Sequence, residues 1–459
     1  MPASGKCAII ASMRKENENM DRRTRLTQTP VPRLILELSV PTIISMLVTA
    51  IYNAADKFFV GRISTEASAA VGVAFPAMAI VQALGFFYGH GSGNYLSRMM
   101  GAGKHKEASE MASTGFAMAL ITGTLAAVLG IIFCRPLVYF MGATQEGMAD
   151  SVAYMRIIML GAPFMMGQFV VNNQLRFQGS AMYAMAGLMC GAAMNLVLDP
   201  LLILVLNMGV SGAAIATITG QLTSFCVLFI GSRRGENIRI RLKDIRINFF
   251  YIREIANGGS PSLFRQGLAA ISGMLLNNAA RDLGGDAAIA AMSTVTTVVM
   301  SLSSALIGFG QGYQPVCSFN YGADLKDRVK KGFWFCVKWG TVFMFAAGVL
   351  CFIFAPQIIR FFRNDDAVVE IGKVALRAQA IALPLSAATV ISNMMLQSIG
   401  KGVKASISSS ARNGIFFIPL ILILPHFMGI FGVEITQSIA DVLALCLSLP
   451  MAMSEIRKM

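Results

Sequence analysis

The sequence predicts an all-α integral membrane protein with 12 transmembrane helices, built as two parallel six-helix repeats. Three observations carry this reading. Hydrophobic residues make up 55% of 459 and charged residues only 14%, where a soluble domain holds about a quarter charged residues. Stretches of about 20 apolar residues, enough to cross a bilayer, recur along the chain. Short anchor motifs return at spacings of 219 to 221 residues, the mark of an internally duplicated transporter.

The predicted helices run 34–60, 68–99, 108–133, 148–177, 181–206, 209–232, 254–281, 287–320, 330–356, 370–399, 404–425 and 430–453. Residues 1–33 are polar and lack the apolar core of a signal peptide, so a disordered cytoplasmic tail is expected there. An N-lobe over 34–232, a basic linker over 233–253 and a C-lobe over 254–459 complete the division. The net charge of +14 is topological rather than a nucleic-acid signal. Arg14, Lys15, Arg22, Arg23, Arg25 and Arg33 crowd the N-terminus, and Arg233, Arg234, Arg239, Arg241, Lys243, Arg246 and Arg253 crowd the linker. Even-numbered loops and both ends are basic, and the positive-inside rule then places both termini in the cytoplasm. The eight cysteines are scattered without C-x-x-C or Cys/His spacing and read as small apolar fillers.

The repeat is legible in four anchors. Pro41 answers Pro261, and "GHGSG" (89–93) answers "GFGQG" (308–312), which sets His90 against Phe309. "GAGKHKEA" (101–108) answers "GADLKDRV" (322–329), and "GAPF…FQG" (161–179) answers "ALPL…SIG" (382–400), with Asn172 on Asn393. The halves differ where chemistry is concerned. Asp56 falls near Leu276, while Asn195 and Asp199 fall near Phe416 and Leu420. Intramembrane carboxylates are costly and mark functional sites by default. A fold that needed these acids for packing would need them twice.

Spacing strengthens the case. Tyr52 and Asp56 are i, i+4, as are Asn195 and Asp199, so each pair shares a helix face. Pro200 cannot donate to the carbonyl of Leu196, which leaves an acceptor within a turn of Asp199. Two carboxylates, an amide, a phenol and a loose carbonyl suit a proton or Na+, and close carboxylates raise one another's pKa.

These residues carry a family resemblance. "P-x14-D-x-x-F-V-G-R" in the first helix, "SRMMGAGKHKEA" after the second and "N-x-x-x-D-P" in the fifth are similar to the multidrug and toxic compound extrusion (MATE) family. "GFGQGYQPVCSFNYGA" (308–323), "LQSIGKG" (396–402) and "QSIADVL" (437–443) resemble it too, and the likeness covers roughly residues 30–455. It implies a two-lobed, V-shaped exporter of lipophilic, mostly cationic compounds in exchange for H+ or Na+, nearest the DinF-like and staphylococcal multidrug exporters. It implies a cation site formed by Tyr52, Asp56, Tyr154, Asn172, Asn195, Asp199 and Thr217. NorM-like members carry a glutamate on the seventh helix and an aspartate on the tenth. This chain has neither acid and offers Arg265, Gln266, Asn277, Asn278, Asn393 and Gln397. Gln266, Asn277, Asn393, Met274 and Met395 are the candidates for a substrate cleft.

Other features are read more plainly. Most of the 30 methionines are helical core filling, with a malleable drug site as the alternative. His90 is a candidate proton relay, and Arg176 and Arg265 are expected to pair with carbonyls or acids or to snorkel. No P-loop motif is present. The chain is expected to be no enzyme, to need no cofactor or metal beyond the coupling ion, and to act as a monomer in a prokaryotic cytoplasmic membrane without nucleic-acid partners. A flippase for a lipid-linked or amphiphilic substrate is the alternative function; it would line the cavity with arginines. An intramembrane aspartyl protease fails because no G-x-G-D surrounds Asp199, and a channel fits a one-sided carboxylate pair poorly.

Overall fold

The computed structural model describes residues 22–60, 65–143, 145 and 147–459, without the side chains of 50–60, 65–69 and 204. The described chain is helical almost throughout, as a bilayer demands when every backbone polar group must be satisfied within its own segment. A short α1 (Arg22–Gln28) precedes α2 (Val31–Val60), α3 (Thr65–Gly101), α4 (His105–Ile132), α5 (Cys134–Phe140), α6 (Met148–Phe177), α7 (Ala181–Pro200) and α8 (Gly209–Ser232). The run Phe249–Gly322 is helical except at Gly285, where φ 59° and ψ −151° break it into α9 (249–284) and α10 (286–322). Then follow α11 (Lys326–Ile353), α12 (Ala355–Phe362), α13 (Asp366–Ser398), α14 (Gly402–Ser410), α15 (Phe417–Met428) and α16 (Ile430–Lys458). Among the described residues, eleven segments are long and apolar enough to cross a membrane. Counting α9 and α10 separately gives the 12 spans expected.

The first bundle comprises α2, α3, α4, α6, α7 and α8. The second comprises α9, α10, α11, α13, the α14–α15 pair and α16. Their equivalence appears in contacts as well as in motifs. A Cβ at Gly101 would strike the Phe319 carbonyl, and one at Gly322 would strike that of Arg98, so α3 and α10 cross at matching points on a shared pseudo-twofold axis. Gly91 packs on Ile255 and Gly258 of α9, and Gly312 packs on Ser39 of α2. This pairing fixes the register at 221 residues through the second span. His90 is therefore equivalent to Gln311, not to Phe309. The sequence motif misleads because glycine recurs at alternate positions in both copies, so a slip of two residues still aligns glycines.

Every hydrogen bond between the bundles, among the described residues, lies toward the face that carries both ends of the described chain. Ser39 Oγ donates to the Phe309 carbonyl (3.0 Å), Ser318 Oγ to Asn94 Oδ1 (3.2 Å), and Arg98 reaches both the Ser398 carbonyl and Glu254 (3.2 Å each). Large apolar residues on the opposite half stay exposed, among them Phe75, Ile80, Met274 and Met300. The bundles meet at the termini face and diverge beyond it.

Residues 22–33, expected within a disordered tail, form α1 and the start of α2. Helix α1 lies across the meeting point as a strap. Arg22 donates to the Glu236 carbonyl (2.9 Å) and Asn237 Oδ1 (2.9 Å) on the linker side. On the other side, Asn320 Nδ2 donates to the Leu26 carbonyl (3.1 Å) and Arg328 to that of Thr29 (2.6 Å). The linker itself is sewn to the first bundle: Ile238 N donates to Gln178 Oε1, Arg241 N to Ser113 Oγ and Arg246 N to Thr114 Oγ1.

Candidate functional site

Helix α7 buries Ala184, Gly187, Gly191, Asn195 and Asp199, one stripe at near-helical spacing that turns both polar residues inward. Asp199 is fully buried and Asn195 nearly so. Asn195 Nδ2 donates to Asp199 Oδ1 at 3.4 Å, within the i, i+4 pair. Asn195 Oδ1 is buried and finds no partner among the described residues, leaving an acceptor aimed into the site. Pro200 ends the α-helix, and the chain continues as a π-turn, Leu201–Val205, in which Leu206 N donates to the Leu201 carbonyl. Such wide turns cluster at functional positions because they re-aim backbone and side chains.

The depth of this site depends on a close crossing. A Cβ at Gly191 would fall 2.6 Å from the Gly220 carbonyl, and one at Gly220 3.1 Å from Asn195 Cβ. Helices α7 and α8 touch backbone to backbone there, and Thr217 is buried one turn from Gly220. The Thr217 hydroxyl donates to the Ala213 carbonyl of its own helix (3.0 Å), so its oxygen can still accept. Tyr154 of α6 is 1% exposed and shares a core cluster with Ile203 of the π-turn and with Ala213 and Ala214 of α8. The structure therefore gathers Tyr154, Asn195, Asp199 and Thr217 at one level of the first bundle. Helix α2 packs along α7, but the side chains of Tyr52 and Asp56 lie outside the described residues.

Asn172 stands apart. Its Nδ2 donates to the Ala184 carbonyl at 3.0 Å. Ala184 is 15 residues from Asp199, which at 1.5 Å per residue is roughly 22 Å along α7. Asn393 makes the equivalent bond to the Ala405 carbonyl at 2.6 Å. The duplicated tie joins consecutive spans in each bundle, which is a packing role. In the second bundle, Phe416 and Leu420 pack in one apolar cluster, so the counterparts of Asn195 and Asp199 are apolar.

Among the cleft candidates, Met274 and Asn277 are exposed and Gln266 is partly so, all on α9. Met395 is fully buried in the cluster formed by α2, α10 and α13, and Asn393 is taken up by α14. Those two belong to the packed interior. Sequence reasoning named Arg176 but not the partners it finds where the bundles meet. Arg176 is 5% exposed and donates across the interface to Gln311 Oε1 at 2.5 Å and to Asn173 Oδ1 at 2.8 Å. Among the described residues it meets no acid, contrary to one expectation for it. The signal available was an arginine in an apolar helix with no carboxylate one turn away.

Comparisons with known proteins match this architecture. The MatE family model covers residues 41–201 and again 261–423, beginning in each copy at the anchor proline. The multidrug export protein MepA of Staphylococcus saprophyticus is 26% identical over 409 residues, spanning 89% of this chain and 90% of that protein. MepA of Staphylococcus aureus is 25% identical, spanning 90% and 92%. Among solved structures, a MOP superfamily transporter from Pyrococcus furiosus, described as having a binding pocket of reverse polarity that suggests a different function, superposes with a TM-score of 0.89. It is 26% identical over 96% of this chain and 99% of its own. An outward-facing multidrug resistance MATE transporter of the same superfamily gives the same score, identity and coverage. With two matched copies, twelve spans and the buried N-x-x-x-D-P turn on the fifth, the chain is a multi-pass membrane protein that belongs to the MatE family.

Proposed function

We propose that this chain is a secondary active multidrug exporter, moving lipophilic compounds, organic cations among them, by antiport with H+ or Na+ bound in the first bundle. The observation that carries the reading is the one-sided polar site. Asn195 and Asp199 are buried beside Tyr154 and Thr217, while Phe416 and Leu420 make the matching positions of the second bundle apolar. Burying a carboxylate without function is expensive in a membrane, and the repeat supplies an internal control in which the same fold manages without one. The names of the staphylococcal relatives support multidrug export.

In this reading Asp199 and Asp56 take up the ion while the cleft faces outward. Neutralisation removes the desolvation cost of the acids, the α7 π-turn and α2 repack, cargo leaves, and the bundles rock to release the ion inward. Asn195 positions the Asp199 carboxylate and offers its free Oδ1 to the ion. Basic loops at the termini face support a cytoplasmic placement of that face, which makes the arrangement described outward-open. The membrane potential supplies about 2.3 kcal/mol per charge per 100 mV.

The test is gradient-driven ethidium efflux in proteoliposomes with Asp199→Asn and Asp56→Asn. Both variants should lose at least nine-tenths of coupled export, about 1.4 kcal/mol or more in rate terms, while keeping ligand binding. Wild-type rates in both would refute ion coupling at this site. Collapsing the proton gradient or removing Na+ in turn identifies the ion.

A further inference from the structure

On the termini face, outside the cleft, the linker and the start of α4 enclose a surface groove of about 420 Å³. Lys106 of α4 and Arg239, Arg241 and Lys243 of the linker line it. Among the described residues, none of these four side chains makes a hydrogen bond or an ion pair. The acid of the lining, Asp244, is engaged: its Oδ2 accepts from Ser109 Oγ at 2.7 Å. The nearby acids of α4 are engaged too, Glu107 by Lys104 (3.0 Å) and Glu110 by Tyr251 (2.6 Å) and Arg246 (3.8 Å). Four cations against one carboxylate leave the groove an excess of three positive charges. The positive-inside rule explains why bases lie on this face. It does not explain why four of them converge unpaired on one groove.

The array is built on a fixed backbone. The linker is extended here, with φ −132° and ψ 135° at Arg241, so successive side chains alternate between two sides. Ile238 and Ile240 turn toward apolar clusters of the interior, while Arg239 and Arg241 are exposed. Ser109 and Ser113, one turn apart on α4, hold the strand through the Arg239 carbonyl (3.4 Å) and the Arg241 amide (3.0 Å).

Exposed apolar side chains accompany the bases. Leu242, between Arg241 and Lys243, is 89% exposed, and Phe249, where α9 begins, is 79% exposed. Ile247 and Phe250 are exposed as well. Bases interleaved with exposed apolar residues suit a segment lying in a bilayer interface. A soluble anion would answer the bases alone and leave Leu242 and Phe249 in water. Two membrane-crossing segments begin beside the groove, at His105 and at Phe249, which sets it at headgroup depth.

We propose that Lys106, Arg239, Arg241 and Lys243 bind the headgroup of an anionic phospholipid in the leaflet at the termini face, with Leu242 and Phe249 against its acyl chains. The bound lipid bridges α4 to the linker. The linker runs into α9, whose first turns are fastened to the first bundle by Tyr251 on Glu110 (2.6 Å) and Glu254 on Arg98 (3.2 Å). Lipid held in the groove therefore braces the closed side of the molecule from without. It is a resident of the surface and not cargo, so the site stands whether or not the chain exports drugs.

The experiment titrates the detergent-purified protein with phosphatidylglycerol and with phosphatidylcholine of the same acyl chains, counting bound lipids by native mass spectrometry. Phosphatidylglycerol should bind more tightly by about tenfold or more. Arg239→Gln/Arg241→Gln should weaken it roughly thirtyfold, at about 1 kcal/mol for each basic residue near an anionic surface, and leave phosphatidylcholine binding unchanged. Those side chains hold no partner in the fold, so the double variant should melt like the wild type. Lys330→Gln/Lys331→Gln removes the same charge from α11 and should leave phosphatidylglycerol binding nearly unaltered. In nanodiscs, hydrogen exchange at residues 238–246 should slow when phosphatidylglycerol replaces phosphatidylcholine, and the slowing should vanish in Arg239→Gln/Arg241→Gln. Equal losses in the two double variants would reveal diffuse surface charge in place of a site. Displacement of the lipid by millimolar glycerol phosphate would make the groove a site for soluble phosphates. Either result overturns the proposal, and exchange that ignores the lipid overturns the bracing.

Discussion

Asn172 and Asn393 show what one residue can reveal when a fold contains its own duplicate. Each amide donates to a carbonyl 12 residues on, and each ties one span to the next. Interhelical hydrogen bonds in membranes average about 0.6 kcal/mol and reach about 1.7. Asn172→Ala and Asn393→Ala should therefore lower unfolding stability by similar amounts in that range, read by thermal melting in detergent. Neither should alter the ion dependence of transport; a shift in ion dependence for Asn172→Ala alone would return it to the coupling site. Asn195 and Asp199 have no such twins. Their placement was legible in sequence because i, i+4 spacing on an apolar helix forces both to one face, and burial followed from the stripe they share with Gly187 and Gly191. The distance of Asn172 from Asp199 was not legible, because an amide four spans into the chain carries no signal of depth along its helix. Only the antiparallel packing of α6 on α7 separates it from Asp199.

At the scale of elements, the two bundles solve one crossing differently. Gly191 and Gly220 let α7 and α8 touch, whereas the positions 221 residues later are Arg412 and Asp441, joined at 2.6 and 3.1 Å with Gln437 as a further donor to Asp441. The contact between Gly191 and Gly220 brings Asn195 against α8; in the second bundle the ion pair ties the turn between α14 and α15 to α16. Asp441→Asn should destabilise the second bundle by about 3 kcal/mol, because it leaves a largely buried guanidinium uncompensated; a chemical denaturation series measures this. Gly191→Leu should be worse for transport than for folding of the second bundle, since it pushes α8 away from Asn195. Retained ethidium efflux in that variant would show that the crossing does not matter to the site. Helix boundaries were read to within a few residues because hydropathy and length govern them. The break at Gly285 was placed correctly for the same reason. The offset through "GHGSG" was not, since glycines at alternate positions leave the register to side-chain contacts, which put His90 opposite Gln311.

For the whole molecule, the bundles close on the termini face through hydrogen bonds and glycine contacts, and the strap α1 crosses that closure. Its carbonyls at Leu26 and Thr29 receive Asn320 and Arg328. A net hydrogen bond is worth on the order of 1 kcal/mol, about fivefold in an equilibrium constant. Arg328→Ala should accordingly move the population toward opening on the termini face by about that factor, seen as greater alkylation of a cysteine introduced at Ser318 in a background without the native cysteines. An unchanged labelling rate would mean that the strap merely rides on one bundle. If it does hold, the consequence concerns evenness. Two copies of one six-helix unit, left to themselves, would have no built-in preference for either side of the membrane. A stretch belonging to neither copy fastens one side only, so the resting posture of the machine is chosen by residues that were never duplicated.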